Sequence, residues 1–212
     1  MTPAAPRRAA LAAVGLVFAL GGCVAGAFER PPPHKSSFVL DPGVPEAAAG
    51  TPAAGVLRVE RVYVDPRYER SGFVWRGPDG TWDTDFYNEF FVPPGEMLRT
   101  LAIDWLDRAG VAEAVVRDPA PSARWRLRLE VEALYGDRRD AAAAEAVLGL
   151  KARLLEVADG RPALVLDRRY EAREPAAGPE PTQLVDAWNR ALARVLGALA
   201  ADLRRALGDG DA

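Results

Sequence analysis

One cysteine and one histidine are the only thiol and imidazole in 212 residues. A single thiol excludes a disulfide framework and any multi-cysteine metal site. A single imidazole argues against His-based zinc sites and Ser–His–Asp catalysis. Lysine is nearly as scarce, with Lys35 and Lys151 alone, so arginine supplies almost all of the 27 basic residues against 30 acidic ones. The resulting net charge of −3 leaves no electrostatic footprint for nucleic acid. The apolar run Ala9 to Leu20 has 12 residues, well short of the roughly 20 that span a bilayer as a helix. What is present, 49% apolar and 27% charged residues, fits a soluble globular domain with its own core.

That apolar run has a different use. Arg7 and Arg8 precede it, and Leu20-Gly21-Gly22-Cys23 follows it. A basic start and a short apolar segment read as a signal peptide over residues 1–22. The small residues before the lone thiol resemble a bacterial lipoprotein box, an ordinary signal peptide with a chance cysteine being the alternative. That resemblance implies cleavage between Gly22 and Cys23, with a diacylglyceryl group and an N-acyl chain added to Cys23. Several acyl chains are enough for stable membrane anchoring, so the chain is expected to be exported and to face the periplasm. Val24 after the cysteine, in place of Asp, points to the outer membrane of a Gram-negative bacterium.

Residues 23–36, with Pro31-Pro32-Pro33, read as a tether, and His34 as a solvated linker residue. Residues 37–208 read as one α+β domain, and 209–212 as a frayed end. A short strand at 37–41 precedes an Ala/Gly/Pro-rich loop at 41–55 of open role. Strands are expected at 56–64, 73–76, 81–86, 114–117, 124–135, 146–157 and 163–172. In 124–135, Trp125, Leu127, Leu129, Val131, Ala133 and Tyr135 alternate with charged residues, the pattern of a sheet with one wet face. Gly77-Pro78-Asp79-Gly80 and Asp159-Gly160 mark turns. If Arg76 faces Thr81, then Trp75 and Trp82 become a cross-strand pair. Pro93-Pro94-Gly95 opens a helix that stops at Gly110, and Thr182 caps a second that runs to Gly208. The expected fold is a largely antiparallel sheet with two amphipathic helices packed on one face.

Chemistry has few places to reside. Asp83, Asp85 and Glu89 gather near aromatics, but a wet hairpin tip does not desolvate a carboxylate as acid–base work requires. Arg138-Arg139 and Arg168-Arg169 could grip phosphate, yet neighbouring Asp137, Asp140 and Asp167 offer simpler partners. No Gly-rich phosphate loop, nucleophile elbow or metal-ligand spacing occurs. No catalytic residue, metal or cofactor is therefore expected. Seven of the 17 aromatics fall in the 19 residues from Phe73 to Phe91. Trp75, Trp82, Phe86, Tyr87, Phe90 and Phe91 form the candidate partner-binding patch. Core packing is the competing account, and a lipid-facing surface a further one.

Phe38-Val39-Leu40-Asp41, Leu57-Arg58-Val59, Tyr68 to Arg76, Asp85-Phe86-Tyr87-Asn88-Glu89-Phe90, Pro93-Pro94 and Ala187-Trp188-Asn189 together resemble the ABC-type transport auxiliary lipoprotein family. These are the PqiC-like lipoproteins of MCE intermembrane lipid-transport systems. The resemblance runs from about Phe38 to Leu207, and the 41–55 loop departs from it. It implies a non-catalytic auxiliary that helps an ABC permease, its ATPase and an MCE-domain protein to move lipids or other hydrophobic solutes. Self-association into a homo-oligomer is compatible with it. A lipoprotein scaffold or activator of a cell-wall synthase is the alternative, and a lipid-anchored periplasmic enzyme the third reading.

Overall fold

A computed structural model describes residues 34–45, 51–117, 123–140 and 143–208. The signal segment, Cys23 and most of the tether, the middle of the 41–55 loop and the last four residues therefore lie outside the described residues. Nine strands form one sheet: β1 (Ser36–Phe38), β2 (Ala53–Val59), β3 (Tyr63–Val64), β4 (Gly72–Arg76), β5 (Trp82–Phe90), β6 (Ala112–Val116), β7 (Trp125–Asp137), β8 (Glu145–Ala158) and β9 (Arg161–Pro175). Among the described residues two helices, α1 (Pro94–Arg108) and α2 (Pro181–Gly208), complete the α+β architecture.

The centre is β7. Along one edge it pairs antiparallel with β8 over its whole length, and β8 pairs likewise with β9. Along the other edge β2, β3 and β4 lie end to end, each parallel to β7. Backbone donors continue the ladder between these pieces: Glu60 N–H bonds Leu127 O at 2.9 Å and Asp65 N–H bonds Val131 O at 2.9 Å. Beyond this row stand β6, parallel to β2, and β5, antiparallel to β4, with β1 parallel to β5 at the rim. The two antiparallel pairings β7–β8 and β8–β9 are long, and the remaining pairings are short.

Local chemistry accounts for the element ends. Asp159 and Gly160 adopt φ of 51° and 75°, the pair of positive φ values that a two-residue hairpin needs. At the end of α1, Gly110 takes φ of 62°. Its N–H bonds Asp107 O while Val111 N–H bonds Leu106 O, which is the Schellman arrangement that sequesters orphan carbonyls. The second helix starts two residues earlier than a Thr182 cap implies: Pro181 opens it, and Thr182 is not its cap. The Gln183 side chain instead accepts from Glu180 N–H at 3.3 Å, as in half of a capping box.

The apolar stripe of α2, including Leu184, Trp188, Ala191, Val195 and Leu199, packs on β8, β9 and β2, with α1 beside it. The two helices share the inner face of the sheet. Trp188 meets the rings of Phe73 at 4.9 Å and Phe90 at 5.3 Å. Asn189 Oδ1, next in the chain, accepts the Asp41 N–H at 2.8 Å. The Trp188-Asn189 pair thus joins the last helix to the segment after β1. Charged latches finish the seam. Arg194 and Arg190 reach the buried Glu174 at 2.6 and 3.5 Å, and Arg168, Tyr170 and Arg205 converge on the buried Asp202.

Candidate functional site

The strands β4 and β5 carry most of the aromatic cluster, and their register decides which face each ring takes. Gly77 N–H bonds Thr81 O at 2.8 Å, so Thr81 belongs to the loop and Arg76 pairs with Trp82. The expected Trp75–Trp82 cross-strand pair is therefore not formed. A shift of one residue inverts every side chain: Trp75 pairs with Asp83 and turns inward. Its ring occupies the space above Gly136 and lies beneath the Arg138 guanidinium, 3.1 Å from the ring centroid. Trp82 goes to the outer face. There it meets Tyr135 at 5.0 Å and Tyr68 at 6.3 Å, with Arg67 and Arg76 over its ring.

A second irregularity follows within β5. The pairing jumps from Val74–Thr84 to Gly72–Glu89, so Asp85 to Asn88 leave the ladder with β4. The Asp85 carboxylate holds this excursion together. It accepts from Tyr87 N–H at 2.8 Å, Asn88 N–H at 3.0 Å and Asn88 Nδ2 at 2.9 Å. Burial alone would raise the Asp85 pKa, but these donors hold it below the usual carboxylate range. The excursion presents Phe86 and Tyr87 to solvent, packed edge-on against each other at 5.2 Å.

The six candidate patch residues thus divide. Trp75 and Phe90 are core residues and offer a partner no surface. Trp82 is half-exposed on the outer face, while Phe86, Tyr87 and Phe91 are exposed along the β1–β5 rim. Sequence reasoning missed two neighbours of that rim, Val39 and Lys35. Val39 is exposed, and the Lys35 ammonium bonds Glu89 at 3.0 Å and lies 5.3 Å from the Phe86 ring. The Asp85-x-x-Asn88 spacing was the available signal, since Asp and Asn fold short excursions around their own backbone.

The three carboxylates considered for catalysis do not converge on one task. Asp83 accepts Thr84 N–H at 2.8 Å, Asp85 pins the excursion, and Glu89 pairs with Lys35. The arginine pairs are likewise engaged. Arg139 bonds Asp137 at 2.8 Å, Arg169 bonds Glu132 at 2.9 Å, Arg168 bonds Asp202, and Arg138 stacks on Trp75. Among the described residues no group of three or more His, Cys, Asp or Glu could hold a metal. A cavity of about 560 Å³ opens between Trp75, Arg138, Ala176 and Leu184 near the start of α2.

Comparison with solved structures gives the fold company. A protein from Xanthomonas campestris shares 19% identity at a TM-score of 0.72, covering 83% of this chain and 98% of that one. A hypothetical protein from Chlamydia trachomatis shares 8% identity at a TM-score of 0.52, over 73% and 98% of the respective chains. Among curated proteins none matches significantly. The profile of the ABC-type transport auxiliary lipoprotein component matches residues 38–201. That span runs from the Phe38 motif through the Trp188-Asn189 latch that closes the sheet against its last helix, and the chain belongs to the ABC-type transport auxiliary lipoprotein family.

Proposed function

We propose that this lipoprotein is a non-catalytic docking component of an ABC transporter of the MCE type, moving lipids or other hydrophobic solutes between membranes. Its family membership over residues 38–201 carries the reading. The lipid on Cys23 holds the domain to a membrane, the outer one given Val24, and the domain faces the periplasm. Its partners are an MCE-domain protein and the permease and ATPase of the same system. ATP is hydrolysed elsewhere, so the domain needs shape and anchorage rather than a reactive group. The scattered duties of Asp83, Asp85 and Glu89 favour this reading over an anchored enzyme.

Complementation tests it. In a strain lacking the chain and sensitised to envelope stress, wild type and Asp83→Asn should both restore resistance, and Cys23→Ala should not. Full rescue by the unanchored variant would refute the anchored role. Loss of rescue by a stably folded Asp83→Asn would reopen the enzyme reading.

A further inference from the structure

The β1–β5 rim combines three features that a free protein surface rarely holds together. It is apolar: Phe86 is 70% and Phe91 73% exposed, with Tyr87 and Val39 beside them. Contiguous exposed apolar residues mark a surface that meets something. It is also built, because the Asp85 carboxylate and the Asn88 amide hold Phe86 and Tyr87 outward. Phe91 N–H bonds Phe38 O at 2.8 Å, which sets Val39 and Phe91 side by side just beyond the Phe38–Phe90 pair. Finally, it bears an ammonium group, Lys35, beside the Phe86 ring.

The position of this rim in the chain bears on its occupant. Eleven residues separate Cys23 from Lys35, a span of at most about 40 Å when fully extended. Lys35 itself belongs to the rim, so the tether enters the domain at the apolar patch. At the opposite edge, Leu164 and Val165 on β9 are also exposed. Five strand spacings, roughly 24 Å, separate them from β1. Aromatic rings with a nearby cation are the residues that settle at a membrane–water boundary, ring toward the acyl region and charge toward the headgroups. We propose that Phe86, Tyr87, Phe91, Val39 and Lys35 form a membrane-facing lip that rests in the headgroup region of the bilayer. This rests on the lipid-anchored reading above. The lip fixes the orientation of the domain, turning its β9 edge away from the lipid.

The test uses the lipidated protein in vesicles of phosphatidylethanolamine and phosphatidylglycerol. Acylated Cys23 has no free thiol, so a nitroxide attaches only at Phe86→Cys, Phe91→Cys or the control Leu164→Cys. Mass spectrometry of the N-terminal peptide reports the lipid independently. The lip predicts that oxygen accessibility relative to a water-soluble nickel complex is several-fold higher at the first two sites than at Leu164→Cys. A lipidated chain with all three sites equally open to water would overturn the lip and leave the anchor intact. Rim sites shielded only when protein partners are added would overturn it in favour of a protein interface. A chain carrying no lipid on Cys23 would overturn the anchor and the lip together.

Discussion

Phe90 is 3% exposed and Phe91 is 73% exposed, although a single peptide bond separates them. Phe90 packs on Phe73 at 4.8 Å and on Trp188, so Phe90→Ala should cost about 3–5 kcal/mol. Phe91→Ala should change stability by less than about 0.5 kcal/mol, and urea unfolding of the two variants compares them directly. Gly136 presents the opposite problem, lack of space. A Cβ there would lie 2.4 Å from the Trp75 ring, so Gly136→Ala should cost about 1–3 kcal/mol by overpacking, read from the same unfolding curves. None of these roles could be read from residue type. The sequence flags the aromatic cluster as a group, but a one-residue difference in loop length decides that Trp75 goes in and Trp82 out.

At the scale of elements, the hairpin β8–β9 and both helices were legible, because a strong turn signal or an unbroken apolar stripe spans each of them. The strand β7 was legible only in part. Its alternation breaks after Val131, where an extra residue enters opposite β8, and Leu134 then occupies the inner face that strict alternation assigned to Ala133 and Tyr135. Tyr135 stacks on Tyr68 over the outer face instead. The strands β2 and β4 were legible at 56–64 and 73–76, but their end-to-end placement along β7 was not. Nor was the break that leaves β3 as two residues that owe their conformation to the partner strand. The latch between α2 and β9 gives an element-scale prediction. Asp202 is 7% exposed and accepts from Arg168 and Tyr170. Asp202→Ala would strand the Tyr170 hydroxyl and cost about 1–3 kcal/mol. Hydrogen exchange should show earlier opening across α2 and β9 than elsewhere.

The whole molecule should lose stability at both ends of the pH scale. For Asp137, hydrogen bonds from Arg139 hold the carboxyl below its usual range. For Asp202, burial opposes ionisation, but donors from Arg168 and Tyr170 outweigh it. The unfolded chain therefore binds more protons than the native one below about pH 4. This stabilisation is complete above that value and is lost as pH falls through the lower native pKa values. Urea midpoints followed into acid should fall, and less steeply for Asp137→Asn. At the alkaline end, burial pushes the Tyr68 phenol up to about 12. Its contribution is full below about pH 10 and is lost as pH rises toward 12, an effect that Tyr68→Phe should remove.

The central claim, that the domain is an anchored dock for a transport system, meets its most direct test in its copurifying proteins. The lipidated chain would be affinity-purified from cross-linked, detergent-solubilised membranes, with Cys23→Ala as control and mass spectrometry as the readout. The account predicts an MCE-domain protein together with its permease and ATPase, and loss of the membrane pool in the control. Recovery of a cell-wall synthase in their place would contradict it.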